Sequence, residues 1–164
     1  MKTSRSQKML SAVVLCSAVL LAPTIAATQD TPDAGQKVIE ARQGYMKLVS
    51  WEAGPLFGMA KGEVAYDAAT ATANAADLKA LSQYAFPGLF LAGTSKTDRA
   101  GKTRAMSDIW EDMAKFEMAF GDLGAAINLV AAEAGKGQTE LAAAVGELGK
   151  ACGGCHKPFR AKDF

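Results

Sequence analysis

Histidine occurs once in these 164 residues and cysteine three times. That scarcity removes whole classes of chemistry. A Ser-His-Asp arrangement has one imidazole to draw on, at position 156, and no glycine-rich phosphate loop accompanies it. A structural zinc site needs four ligands, with a second ligand pair elsewhere, and the chain cannot supply it. Proline is also rare, at five residues, and β-branched runs are scarce. Long central strands are therefore not expected. An excess of charge of either sign is lacking too, since the formal net charge is +1. With no basic excess there is no electrostatic footprint for nucleic acid.

What is present is concentrated at the two ends. Lys2, Arg5 and Lys8 precede a short apolar run from Met9 to Leu21, followed by Ala22-Pro23-Thr24-Ile25-Ala26-Ala27. A basic start, an apolar stretch too short to span a bilayer and small residues at the end are the layout of a secretory signal. Cleavage is expected after Ala26 or Ala27, which makes residues 1–27 a removable signal and residues 28–164 one mature domain. Cys16 lies inside the signal, preceded by Val14 and Leu15 rather than a small residue, so lipidation and a membrane anchor are not expected. Export of a soluble protein to the periplasm follows. Without its three basic residues the mature chain is mildly acidic.

At the other end stands Cys152-Gly153-Gly154-Cys155-His156, containing the one histidine. Two thiols at this spacing can form thioethers to both vinyl groups of one haem, and the adjoining imidazole can ligate the iron. A redox dithiol would usually open a helix after a strand, whereas this run lies near the end of a long helical segment. The motif therefore predicts one covalently attached haem c, with Cys152 and Cys155 as attachment points and His156 as iron ligand. No other catalytic constellation is evident, so an enzyme is not expected.

Between the ends, the pattern predicts four helices. The first opens at Thr31-Pro32 and runs to about Ala53, where Gly54-Pro55 is expected to stop it. Its apolar stripe reads Val38, Ala41, Tyr45 and Leu48 or Val49. A second, alanine-rich helix runs from Asp67 to about Tyr84, with Leu78 and Leu81 as its larger apolar members. After a polar loop of about twenty residues, the third starts near Ser107. Its stripe is Ile109, Met113, Phe116, Phe120, Leu123, Ile127 and Val130, a seven-residue repeat that suits near-parallel packing in a bundle. The fourth, from about Thr139 to Lys162, continues the repeat through Leu141, Val145, Leu148, Cys152, Cys155 and Phe159. Both cysteines then face the core, and a haem would insert between helices. Trp51 and Trp110 read as core or interface residues, and Met59, Met106, Met113 and Met118 as core or surface.

Several segments together resemble the class II c-type cytochromes, the cytochrome c′ group and its six-coordinate relatives. They are Ala41 to Met46, Tyr66 to Ala69, Leu89 to Ser95, Ile109 to Glu111 and Cys152 to Arg160. The resemblance covers essentially the whole mature chain. It implies an all-α fold, a left-handed antiparallel four-helix bundle that is often dimeric through its first two helices. It also implies that Arg42 contacts a haem propionate, the alternative being a solvated helix charge. Phe159 and Arg160 would lie on the proximal side near His156. One turn after Arg42, on the distal side, stands Met46, either a sulfur ligand to iron or a pliable filler that gates it. The first role implies a carrier cycling between Fe(III) and Fe(II) with periplasmic redox partners. The second implies a five-coordinate centre binding nitric oxide or carbon monoxide.

Overall fold

The computed structural model describes residues 33–164; the expected signal, Cys16 and the Thr31-Pro32 helix start lie outside the described residues. The elements are α1 (Ala34–Lys61), α2 (Ala68–Ser82), a 3-10 turn (Phe86–Leu89), α3 (Asp108–Glu111), α4 (Met113–Glu133) and α5 (Gln138–Phe159). Among the described residues no strand forms. Only an isolated antiparallel bridge joins Ala105 and Arg160. Helix α1 packs beside α2 and α5, and α4 packs beside the same two, which closes an antiparallel four-helix bundle.

The helix ends follow side-chain chemistry. Asp33 caps α1, its Oδ1 accepting the Gln36 N–H at 2.7 Å. Asp67 caps α2 through the Thr70 N–H at 2.7 Å. Each carboxylate satisfies a backbone donor that the helix itself leaves unpaired. Gly62 ends α1 at φ 74°, a left-handed conformation in which its N–H reaches the Gly58 and Met59 carbonyls.

Four sequence expectations are corrected. Gly54-Pro55 does not stop α1, which runs eight residues past Ala53, to Lys61. Leu56 and Met59 lie on the buried face beyond the proline, at 0% and 2% exposure. Burial of such side chains contributes about 1.5–3 kcal/mol each, enough to offset much of the hydrogen bond that proline removes. The buried stripe of α1 is Ile39, Arg42, Tyr45, Val49, Ala53, Leu56 and Met59. Ala41 and Leu48 face outward, and Val38 is half-buried.

The third predicted helix divides. Asp112 (φ −140°, ψ 73°) interrupts it, and its carboxylate accepts the Lys115 N–H at 3.0 Å, so it caps α4. A short acidic side chain that can bond the backbone ahead of it competes with helix continuation. The predicted apolar stripe nevertheless faces inward across the break. Helix α5 ends at Phe159 rather than Lys162. Its Phe159 carbonyl accepts the Met106 N–H at 3.0 Å, and Arg104 O accepts the Ala161 N–H at 2.8 Å. The loop before α3 thus ties the chain end down as extended backbone.

Candidate haem cleft

The N-terminal half of α1, the C-terminal end of α5, the start of α4 and the loop before α3 meet at one end of the bundle. They enclose a cleft of about 200 Å³. Its walls include Phe86, Phe90, Ile109, Phe116 and Phe159, and the loop contributes Thr103, Arg104 and Ala105. Aromatic rings pack around it without a gap in the chain of contacts. Phe86 stacks on Tyr45 with centroids 4.5 Å apart, Phe90 meets Phe116 edge-on at 4.5 Å, and Phe116 meets Phe159 at 5.4 Å. Such pairs hold an apolar wall in a defined shape.

Of the residues singled out from sequence, Arg42, Met46, Cys155, His156, Phe159 and Arg160 all line this cleft. Cys152 does not line it; it sits one turn back on α5, half-buried against the core. Met46 reaches the cleft from α1 and His156 from α5, and Met46 is the one methionine in the lining. Phe159 is buried, whereas Arg160 is exposed where the cleft opens. Met59 is buried, Met106 and Met113 half-buried and Met118 exposed. Trp110 is half-buried, its indole N–H donating to Phe90 O at 2.9 Å. Trp51, at 75% exposure, is not core.

Arg42 is 4% exposed, although it is a charged residue on a helix face. Its guanidinium donates to Thr94 Oγ1 at 2.9 Å, to Thr103 Oγ1 at 2.9 Å and to the Thr94 carbonyl. The Phe90 ring lies 4.9 Å from its Cζ. None of the ion pairs among the described residues involves it. A solvated helix charge is thereby excluded. Burial pulls its pKa down to about 10, the direction expected of a desolvated cation. Thr94 and Thr103 were not singled out as site residues. A signal existed for Thr94, since it falls in the Leu89 to Ser95 segment, but the partnership with Arg42 spans 52 residues.

Burial likewise lowers the His156 pKa, with the nearby charges of Arg160 and Arg104 adding to the effect. The imidazole is therefore biased toward its neutral form, the one that binds metals. Burial raises both cysteine thiols, and both are free, not joined in a disulfide. Arg42, Arg104 and Arg160 line the cleft with no Asp or Glu side chain among the lining residues. An apolar slot with a neutral imidazole, adjoining thiols and three uncompensated cations suits a flat apolar macrocycle bearing two carboxylates. The donor set fits haem.

A four-helix bundle with C-x-x-C-H in the last two turns of its final helix defines a bundle-type haem c protein. The family model described as Cytochrome C′ matches residues 37–160, and the chain belongs to that family. A cytochrome c′ of Cereibacter sphaeroides is 44% identical over 153 residues, 92% of this chain and 97% of that protein. The solved cytochrome c′ structure from Rhodobacter sphaeroides superposes with a TM-score of 0.77 at 45% identity, covering 79% of this chain and 99% of that one. A ferrous cytochrome c′ variant from Alcaligenes xylosoxidans, solved with bound NO, is 29% identical with a TM-score of 0.67. It covers 80% of this chain and 100% of that one. The protein is thus a haem c-type cytochrome with the bundle fold read from its sequence.

Proposed function

We propose that this cytochrome is a periplasmic one-electron carrier with a single haem c, held by Cys152 and Cys155 and ligated by His156 and Met46. The observation that carries the reading is the placement of Met46. Its side chain lines the same cleft as the His156 imidazole and comes from a neighbouring helix, α1 rather than α5. A thioether and an imidazole are the soft and intermediate ligands that raise a haem potential and favour electron transfer over ligand activation.

Bound haem supplies an Fe(III)/Fe(II) couple. The chain's own residues do the rest. Cys152 and Cys155 would fix the cofactor's orientation covalently, and His156, whose pKa is lowered by burial, would present a nitrogen lone pair. Arg42, already desolvated and held by Thr94 and Thr103, would offer its cation to a propionate. Phe159 packs beside the histidine's turn of α5, and Arg160 covers the open side. Phe86, Phe90 and Phe116 exclude water, which keeps the reorganisation accompanying a change of iron charge small. Residues 1–27 act as a cleaved export signal. Among the described residues no helix is long and apolar enough to cross a membrane.

A second reading has one specific observation in its favour, the NO complex of the Alcaligenes protein. On that reading Met46 only blocks the iron, and the cleft takes up nitric oxide or carbon monoxide. The absorption spectrum of the purified holoprotein in both oxidation states separates the two. A low-spin spectrum insensitive to carbon monoxide supports the carrier; a high-spin one with rapid uptake overturns it. Homodimerisation through the outward faces of α1 and α2 accompanies either reading. Leu48 and Trp51 are exposed on α1 at 53% and 75%.

A further inference from the structure

Thr103 is buried in the wall of the cleft, at 3% exposure, in the loop before α3. A hydroxyl carries one hydrogen to donate and two lone pairs that accept. Both lone pairs of Thr103 Oγ1 are taken, by an Arg42 Nη2–H at 2.9 Å and by the Ala105 N–H at 3.1 Å. Its own hydrogen meets no protein acceptor among the described residues. Thr94 differs, since its hydroxyl donates to the Leu91 carbonyl at 2.6 Å. A buried donor left without an acceptor is costly and rare. With the lone pairs turned to Arg42 and Ala105, the hydrogen is left for the cleft that Thr103 lines.

Arg42 alone does not supply a two-point grip on a carboxylate there. A guanidinium has five N–H donors and holds a carboxylate bidentately through a fork, either Nε with Nη2 or Nη1 with Nη2. Both Nη2 hydrogens are already spent, one on the Thr94 carbonyl and one on Thr103 Oγ1. Nη1 gives a hydrogen to Thr94 Oγ1. Arg42 keeps its Nε–H and one Nη1–H, which share no fork, so it can offer a carboxylate its charge and a single bond. We propose that Thr103 supplies the second bond, donating its hydroxyl hydrogen to the haem carboxylate that Arg42 faces. Thr103 is then a cofactor-binding residue whose oxygen also fixes the guanidinium. The inference needs a haem in this cleft and is independent of whether Met46 ligates the iron. The other charged or titratable groups lining the cleft are Arg104 in the loop and Cys155, His156 and Arg160 at the end of α5. No Asp or Glu side chain lines it to compete for the hydroxyl.

The test uses holoprotein whose haem is isotope-labelled in its carboxylates, so that redox-induced infrared difference spectra single those groups out. Thr103→Val keeps the side chain's shape and removes the hydroxyl. It should shift the labelled carboxylate band, and Thr103→Ser should restore the wild-type position. The reduction potential falls as a haem carboxylate ionises, and a donor to the ionised form lowers the pH of that step. In Thr103→Val the step should move up by roughly one pH unit, and in Thr103→Ser it should return. If Thr103 only positioned Arg42, its loss would free a fork for the carboxylate, and the step would move down or stay. Either result overturns the proposal, as does a labelled band that stays in place in Thr103→Val. Thr103→Ala removes the same hydroxyl and should move the band and the step likewise, which decides the matter if the valine variant does not fold. The visible absorption spectrum should stay unchanged in these variants, which keeps failure of the Thr103 contact distinct from loss of haem or of an iron ligand.

Discussion

Met46 and Arg42 sit one turn apart on α1 and face the same cleft, yet they are held in opposite ways. Met46 is half-buried and pliable, with packing as its only restraint. Replacing it by leucine preserves volume, so stability should fall by less than about 1.5 kcal/mol. The proposed iron ligand is nevertheless deleted. Spin state should change from low to high, the reduction potential should drop and carbon monoxide should bind faster. An unchanged high-spin spectrum in both proteins would refute ligation. Arg42 is held by three hydrogen bonds from its guanidinium. Arg42→Met should cost about 2 kcal/mol or more, because the buried oxygens of Thr94 lose the Arg42 donors and the Thr103 hydroxyl keeps only the Ala105 N–H. It should also lower the reduction potential, since a cation near the iron favours the ferrous state. Denaturation of the holoprotein combined with potentiometry measures both effects.

At the scale of elements, α1 tests how far tertiary packing can override a local breaker. Pro55 is exposed and sits inside a continuous 28-residue helix. Restoring the missing N–H by Pro55→Ala should therefore stabilise the protein by about 1–3 kcal/mol. If α1 ended at Ala53 in solution, the same change would have little effect on the thermal midpoint. The helix caps give a pH signature. Asp33 and Asp67 have pKa values held below the ordinary 3.8, Asp33 chiefly by its hydrogen bond with Arg99 and Asp67 by its bonds with Thr70. A depressed carboxyl pKa contributes stability that is complete above the unfolded value and is lost as pH falls through the folded one. Asp67→Ala should therefore lower the thermal midpoint at neutral pH. The gap from wild type should close below pH 3.8. A gap that persists undiminished in acid would show that the cap is not the source.

For the whole molecule, export and assembly make the predictions. The periplasmic form should begin at Ala27 or Thr28, and its intact mass should equal the shortened chain plus one haem. Cys152→Ala combined with Cys155→Ala should leave no haem on a denaturing gel stained for peroxidase activity. A retained N-terminus bearing lipid on Cys16 would overturn the soluble reading. Leu48 and Trp51 are exposed on α1, and the small side chains of the alanine-rich α2 permit close approach of a second copy. Sedimentation of the holoprotein should show a dimer at micromolar concentration. A single monomeric species across that range removes the dimer.

Periodicity and the C-x-x-C-H run were enough to read four helices, the bundle and the segment that carries the cofactor motif. Those are local properties: a seven-residue apolar repeat faces one side whatever it packs against, and the spacing of the two thiols is fixed by three residues of chain. Resemblance to the family added Arg42, Met46, Phe159 and Arg160, and the fold brings all four to one cleft with His156. Tertiary structure decided what neighbours in sequence could not. Helix α1 passes through Gly54-Pro55 because Leu56 and Met59 have a core to enter, and that core is built by other helices. Arg42 is buried because Thr94 and Thr103, more than fifty residues away, fold back over it. Arg104 and Arg160 reach one cleft because the loop before α3 and the chain end are zipped together at Ala105 and Arg160. Each depends on long-range contacts that no window of sequence contains, since the free energy that forms them comes from partners the local chain does not meet until it folds.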